Sequence, residues 1–272
     1  MSPLLEVCVD SLASACAAIA GGADRLELCS ALTVGGLTPY PELLRQIRAE
    51  STIPIRCLMR PRGGDFLYTK DEIQMMAAQI TALREAGADG FVIGCLDSEG
   101  RLDGDAMQPL LDAARGCGLT LHRCIDVSRD PLQTYRDAAA CGIDTVLTSG
   151  AAANCAAGQA MLARLLKLRD ETDGPEVLIG AGVKAEVIRQ LRRVLPGARA
   201  FHASCKVEVE SGMHFRRDGV PMGLPGLDEW RIQQTSEAAV RLARAALEET
   251  LKNTLPTLFR AGRCPHGGQH GL

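Results

Sequence analysis

Residues 70–96, KDEIQMMAAQITALREAGADGFVIGCL, decide the fold. Over Lys70–Glu85 the apolar residues Ile73, Met76, Ile80 and Leu83 recur at helical spacing. Gly87 ends that helix, because it accepts a left-handed backbone that a β-carbon penalises. The apolar run Gly90–Leu96 then reads as a strand. The turn between them has the form Gly-x-Asp-x-apolar. It recurs in Gly22-Ala-Asp-Arg-Leu and Gly142-Ile-Asp-Thr-Val, so the same helix-to-strand joint is used along the chain.

Working outward from that unit, strands are expected at Leu4–Asp10, Arg25–Cys29, Pro54–Pro61, Gly90–Leu96, Leu119–Asp126, Thr145–Gly150, Glu176–Val183 and Ala200–Lys206. A helical stretch follows each. Strictly alternating β and α elements call for a parallel sheet, and eight units call for closure into a (β/α)8 TIM barrel. The 272 residues suit one such domain, and no Pro/Ser/Gly-rich linker divides them. The barrel is expected over 1–251, ending in a helix at about Asp228–Leu251, with a peripheral tail over 252–272. Val207–Leu227 reads as a long loop after the eighth strand.

Composition narrows the function. The formal net charge is −3, and no basic run or aromatic stacking surface appears, which excludes a nucleic-acid binder. No secretory leader and no apolar run long enough to span a membrane is visible, so a soluble cytoplasmic protein is expected. The 11 cysteines are odd in number and scattered, the pattern of reduced buried thiols rather than of a disulfide framework.

Side chains alternate along a strand. Leu5, Val7 and Val9 should face the helices, leaving Glu6, Cys8 and Asp10 on the barrel axis. The same parity turns Glu27 and Cys29 inward, and adds Arg56, Arg60, His122, Asp126, His202 and Ser204. Charges there must compensate one another, since an unpaired buried ion costs several kcal/mol. Such a set serves either as a structural ion-pair network or as a ligand site lined by acid and base groups. A second constellation ends the later strands: Thr148, Ser149 and Gly150, then Gly180 and Gly182, then His202 to Lys206. Barrels often bind phosphate with backbone N–H groups there, although glycines also serve tight turns. Cys8 and Cys29 lie on consecutive strands, about 4.8 Å apart, where two thiolates can share a soft metal ion or simply pack as small hydrophobes. Cys264, His266 and His270 form a metal-like group in the tail.

Several motifs together resemble the CutC family. They are Glu6-Val-Cys-Val-Asp-Ser11, Gly21-Gly-Ala-Asp-Arg-Leu-Glu-Leu-Cys29, Gly35-Gly-Leu-Thr-Pro39, Met59-Arg-Pro-Arg-Gly-Gly-Asp-Phe66, His122-Arg123 with Asp126, Leu147-Thr-Ser-Gly150, Phe201-His202 and Ser211-Gly-Met213. The resemblance runs from about Leu4 to Leu247 in the same order. It implies a cytoplasmic TIM-type barrel, commonly a homo-oligomer, named for copper homeostasis. It also implies copper, as Cu(I), with Cys8 and Cys29 as metal ligands. Strand five departs from the family pattern with Leu-His-Arg-Cys-Ile-Asp, strand seven with Gly-Ala-Gly, and strand eight with Cys205-Lys206. Two cysteines leave the charged groups unexplained. The alternative is an enzyme, an isomerase, epimerase or hydrolase of a small anionic or phosphorylated molecule. Glu6 or Glu27 would then be the base, His122 or Asp126 the acid partner and Arg60 the anion holder, with His202 also in the catalytic set. Thr148, Ser149, Gly180, Gly182 and Ser204 would line the subsite.

Overall fold

The computed structural model describes residues 3–217, 219–224 and 226–249. Eight parallel strands close into a barrel: β1 (Leu4–Val9), β2 (Arg25–Leu28), β3 (Ile55–Leu58), β4 (Gly90–Ile93), β5 (Gly118–Leu121), β6 (Thr145–Thr148), β7 (Glu176–Ile179) and β8 (Ala200–Ala203). The helices alternate with them: α1 (Leu12–Ala20), α2 (Pro41–Glu50), α3 (Lys70–Glu85), α4 (Gly104–Ala113), α5 (Pro131–Ala140), α6 (Gln159–Thr172) and α7 (Ala185–Val194). Among the described residues no helix is long and apolar enough to cross a membrane.

Side-chain parity divides the protein into two cores. Leu5, Val7, Val9, Leu26, Leu28, Phe91 and Ile93 turn outward into the layer between sheet and helices, where all are fully buried. Inside the barrel, Leu147, Leu178 and Ala200 form one apolar cluster with Leu4. Cys8, Cys29, Leu58 and Val92 form another. Glu6 and Cys8 are inward, as the alternation requires.

The Gly-x-Asp joint proves to be a clamp between strands. Gly22, Gly87 and Gly142 all hold positive φ, as the turn demands. The aspartate that follows reaches back to the preceding strand. Asp24 accepts the Leu5 N–H, Asp89 the Ile55 N–H and Asp144 the Leu119 N–H, each at 2.7 Å. The backbone N–H of each aspartate donates to the carbonyl of that same residue, at 2.9 to 3.1 Å. Each clamp pins the start of an odd-numbered strand to its even-numbered neighbour and sets their register.

Every strand ends earlier than its apolar run suggested, because the residues above the last ladder pair turn out into the upper loops. The largest correction is to β5. His122 follows its last residue, and Arg123–Val127 forms a 3-10 turn instead of more strand. The turn is capped by His122, whose Nδ1 accepts the Cys124 N–H at 3.2 Å. A second correction follows β8. Lys206–Glu210 (β9), which runs into the expected loop, pairs as an antiparallel hairpin with Arg231–Thr235 (β10), which replaces the first part of the expected last helix. Their alternation of β-branched and polar residues favours strand there. The last helix, α8 (Glu237–Glu248), begins later than expected, at the N-cap Ser236.

Arg56 is also corrected. Parity places it inside, but its long side chain runs to the lower end of the barrel. There it donates to Thr120 Oγ1 at 2.6 Å and Thr145 Oγ1 at 3.2 Å, and pairs with Asp144 at 2.8 Å. A Cβ on Gly118 would lie 2.6 Å from its Nη2, so a glycine in β5 makes the room. Around it Glu176 pairs with Arg169 at 2.8 Å and with Arg199 at 2.6 Å, and these ion pairs close the lower face.

The clamps carry a prediction. Asp89→Ala leaves the buried Ile55 N–H without an acceptor and should lower unfolding stability by about 1–3 kcal/mol, with Asp89→Asn costing less. Denaturant titration measures both, and an Asp89→Ala variant as stable as the parent chain contradicts the clamp.

Candidate functional site

The upper half of the barrel is assembled from β1, β2 and β8. In the ladder Glu6 lies beside His202, and Cys8 lies beside Glu27. These inward side chains form a continuous line along the axis. Arg25 Nε donates to Glu6 Oε2 at 2.5 Å from below. The other Glu6 oxygen accepts from His202 Nδ1 at 2.8 Å. His202 Nε2 stands 3.7 Å from Glu27 Oε2. The Cys29 thiol donates to the same Glu27 oxygen at 3.4 Å. Cys8 Sγ, a Glu27 oxygen and a His202 ring nitrogen all lie within 4.8 Å of one another, a group able to hold a metal ion.

Burial and pairing set the proton affinities. Burial alone would raise the Glu6 carboxyl, but the Arg25 charge and the His202 contacts outweigh it and hold it at about 2. Burial also works against a charged His202. The Cys8 and Glu27 charges and the Glu6 hydrogen bond overcome it and raise the imidazole well above 6.5. Burial raises Glu27. Burial and then Glu27 push the Cys29 thiol well above its usual value. An ionised Glu6 on Nδ1 fixes the ring orientation and leaves Nε2 facing Cys8 and Glu27. A carboxylate does the same behind many metal-bound histidines.

Above this floor opens a cavity of about 540 Å³, whose lining includes Arg60, Phe66, His122, Lys184 and Lys206. His122 is buried, and its pKa is lowered to about 3, first by burial and then by the Arg60 charge. The ring is therefore neutral. Because Nδ1 accepts from Cys124, the proton sits on Nε2, which has no partner. The Phe66 ring lies 4.6 Å from the His122 ring, and the Arg60 guanidinium 5.5 Å from Phe66 on centroid measure. A Cβ on Gly94 would come within 2.6 Å of the His122 ring, which only a glycine permits.

The expected residues divide. Glu6, Cys8, Glu27 and His202 meet at the floor, with Cys29 in contact through Glu27 but outside the three-donor group. Arg60, His122, Gly182 and Ser204 line the cavity. Asp126 turns away to organise the loop after β6. Its carboxylate accepts from Thr148 Oγ1 at 2.5 Å, from the Ser149 N–H and hydroxyl at 3.0 and 2.9 Å, from the Ala151 N–H at 3.0 Å and from Arg123 Nε at 2.7 Å. The polar donors of Thr148 and Ser149 are thus directed onto Asp126. Gly180 packs against Leu147, which a Cβ would approach to 2.6 Å. Asp10 accepts the Leu32 N–H at 3.4 Å and holds the loop after β2. Cys264, His266 and His270 lie outside the described residues. Phe66 and Lys184 were not singled out from the sequence as site residues. Their position in loops just beyond β3 and β7 was the available signal.

Comparison with known proteins agrees with this fold. The family model described as the CutC family matches residues 3–207. A CutC family protein of Chromobacterium violaceum is 41% identical over 250 residues, covering 92% of this chain and 100% of its own. The human protein named copper homeostasis protein cutC homolog is 37% identical over 251 residues, covering 91% of this chain and 90% of its own. A solved CutC structure from Streptococcus agalactiae superposes with a TM-score of 0.69 at 27% identity, over 74% of this chain and 98% of that one.

His122 gives the site a pH signature. Its folded pKa lies below the ordinary 6.5, so the unfolded chain binds a proton there that the folded chain refuses. Its contribution to stability is therefore present above about pH 6.5 and declines at lower pH, at about 1.4 kcal/mol per unit. Ring NMR should show His122 as the neutral Nε2–H tautomer from about pH 8 down to about pH 4. A midpoint near its ordinary value contradicts the burial argument.

Proposed function

The chain belongs to the CutC family, and we propose that it acts in copper homeostasis by holding one Cu(I) ion at the barrel floor. Cys8 Sγ and His202 Nε2 are the ligands, Nε2 releasing its proton as the ion enters, with Glu27 beside them. The observation that carries this reading is the buried Cys8–Glu27–His202 group, backed by Glu6 on the far nitrogen of the histidine ring. A thiolate and an imidazole suit a soft monovalent ion. The floor is shielded, since Cys8 and Glu27 are at most 7% exposed. Cys29, the second ligand that the family resemblance implies, is the reserve thiol in this reading. Its proton is held against Glu27, and it joins the ion only if that contact opens. The chemistry requires Cys8 to stay reduced, which supports a cytoplasmic location. The described cysteines are all free thiols.

The family expectation of a homo-oligomer finds support in the arm built on β9 and β10. Phe215, Met222 and Ile232 are 68%, 81% and 52% exposed there. Large apolar side chains left exposed along one arm point to an interaction face, and we assign it to a second copy of the chain.

Anaerobic competition titration against a Cu(I) chelator tests the ion site. One tightly bound equivalent is expected in the parent chain. Cys8→Ser and His202→Gln should each weaken it by at least about 100-fold, since outer-shell changes alone cost about 10–100-fold. Glu6→Gln should fall in that outer-shell range, and Cys29→Ser below it. Affinity indifferent to Cys8 contradicts the proposal, and equal losses at Cys8 and Cys29 transfer the ion to the cysteine pair. For the arm, light scattering should give a multiple of the chain mass, reduced in Phe215→Ser/Met222→Ser. A monomeric parent chain removes the assignment.

A further inference from the structure

An ion occupies a small part of a cavity of about 540 Å³, a size in the range of small-molecule sites. The rim of the cavity is cationic. Arg60, Lys184 and Lys206 line it, and among the described residues no carboxylate forms an ion pair with any of the three. Arg123, also at the wall, is paired with Asp126. Such an excess of positive charge around a concave surface is a standing attraction for an anion.

Two buried donors sharpen that attraction. His122 is 4% exposed and presents an Nε2–H with no hydrogen-bond partner. Arg60 Nε is buried and likewise without a partner. The terminal nitrogens of Arg60 are already committed, Nη1 to the carbonyls of Val34 and Gly36 and Nη2 to that of Gly64, at 3.0 to 3.1 Å. The guanidinium is therefore clamped between the loops after β2 and β3, with its Nε–H and one Nη2–H left over. Phe66 touches both groups, so one rigid aromatic ring holds the two donors in place. A buried N–H left unpaired is costly, and two lining one cavity call for an acceptor from outside the chain.

We propose that the barrel mouth binds a small organic oxyanion, a phosphate monoester or carboxylate, through Arg60 and His122, with Lys184 and Lys206 at the rim and Phe66 and Leu58 against its carbon skeleton. This site does not depend on the metal reading and stands if no ion binds at Cys8. It also accounts for the neutral state of His122. A neutral ring donates one hydrogen bond to an oxyanion while Nδ1 keeps its backbone contact.

The test uses the metal-free full chain, titrated with glycerol 3-phosphate and separately with malate. Ring NMR of His122 and thermal unfolding are the two readouts. Saturable movement of the His122 Nε2–H resonance is expected with at least one probe, together with a rise in Tm. A response to the first alone identifies a phosphate site, and to the second alone a carboxylate site. Arg60→Met should weaken the responding probe about tenfold or more, the worth of a charge-assisted hydrogen bond. Because Arg60 also ties two loops, Lys184→Gln, at an exposed position, is the second variant and should weaken binding without loss of fold. Cys8→Ser should leave the response intact, which separates this site from the metal. No movement with either probe, or movement unchanged in both Arg60→Met and Lys184→Gln, overturns the proposal.

Discussion

A carboxylate with no exposed surface, Glu6, sits on the barrel axis between a guanidinium below and an imidazole above. An ion in that position is tolerated only when its partners are fixed, because losing one leaves an uncompensated charge in a medium of low polarity. Much of the interior follows from this requirement. Arg25 must be inward on β2, and the ladder sets it beside Glu6. His202 must be inward on β8, again directly beside Glu6. One carboxylate thereby joins the ion-paired lower plug to the chemistry of the upper face. Any change in the register of β1 breaks both contacts together, since a one-residue slip turns Glu6 out towards the helices. The aspartate clamps at the starts of β1, β3 and β5 hold that register.

The upper site has two unlike halves. Its floor combines thiol, imidazole and carboxylate, and its wall is cationic, with unpaired N–H groups around a phenylalanine. The first half suits a soft cation and the second an anion. They share one cavity, and no ion pair among the described residues joins Glu27 to Arg60, Lys184 or Lys206. The family name accounts for the floor alone. Asp126 shows how the chain handles a similar problem internally. The end of β6 and its loop offer two backbone N–H groups and two hydroxyls, the turn after β5 adds an arginine, and a carboxylate of the chain itself receives them. Around His122 and Arg60 no such internal anion is supplied among the described residues.

Much of this was readable before any coordinates. Alternation along short strands put Glu6, Cys8, Glu27 and His202 on the axis, because the period of two admits only two faces. Parity says nothing about height, however, and Arg56 is long enough to reach the lower face from an inward Cα. Nor does parity apply past the end of a ladder. His122 and Asp126 were placed on one strand face, whereas a 3-10 turn separates them and sends Asp126 to another loop. The β9–β10 pair was legible in Lys-Val-Glu-Val-Glu, but its position after the eighth strand favoured a loop reading. The aspartate of the Gly-x-Asp joint was visible three times. Its partner, a backbone N–H on the preceding strand, has no sequence signature.

The central claim is that His202 and Cys8, rather than the two cysteines, hold the ion. X-ray absorption at the copper edge, on the reduced protein loaded with one equivalent of Cu(I), reads the ligand atoms directly. One sulfur together with the multiple-scattering pattern of one imidazole is the predicted result. Two sulfurs with no imidazole contribution would contradict the account.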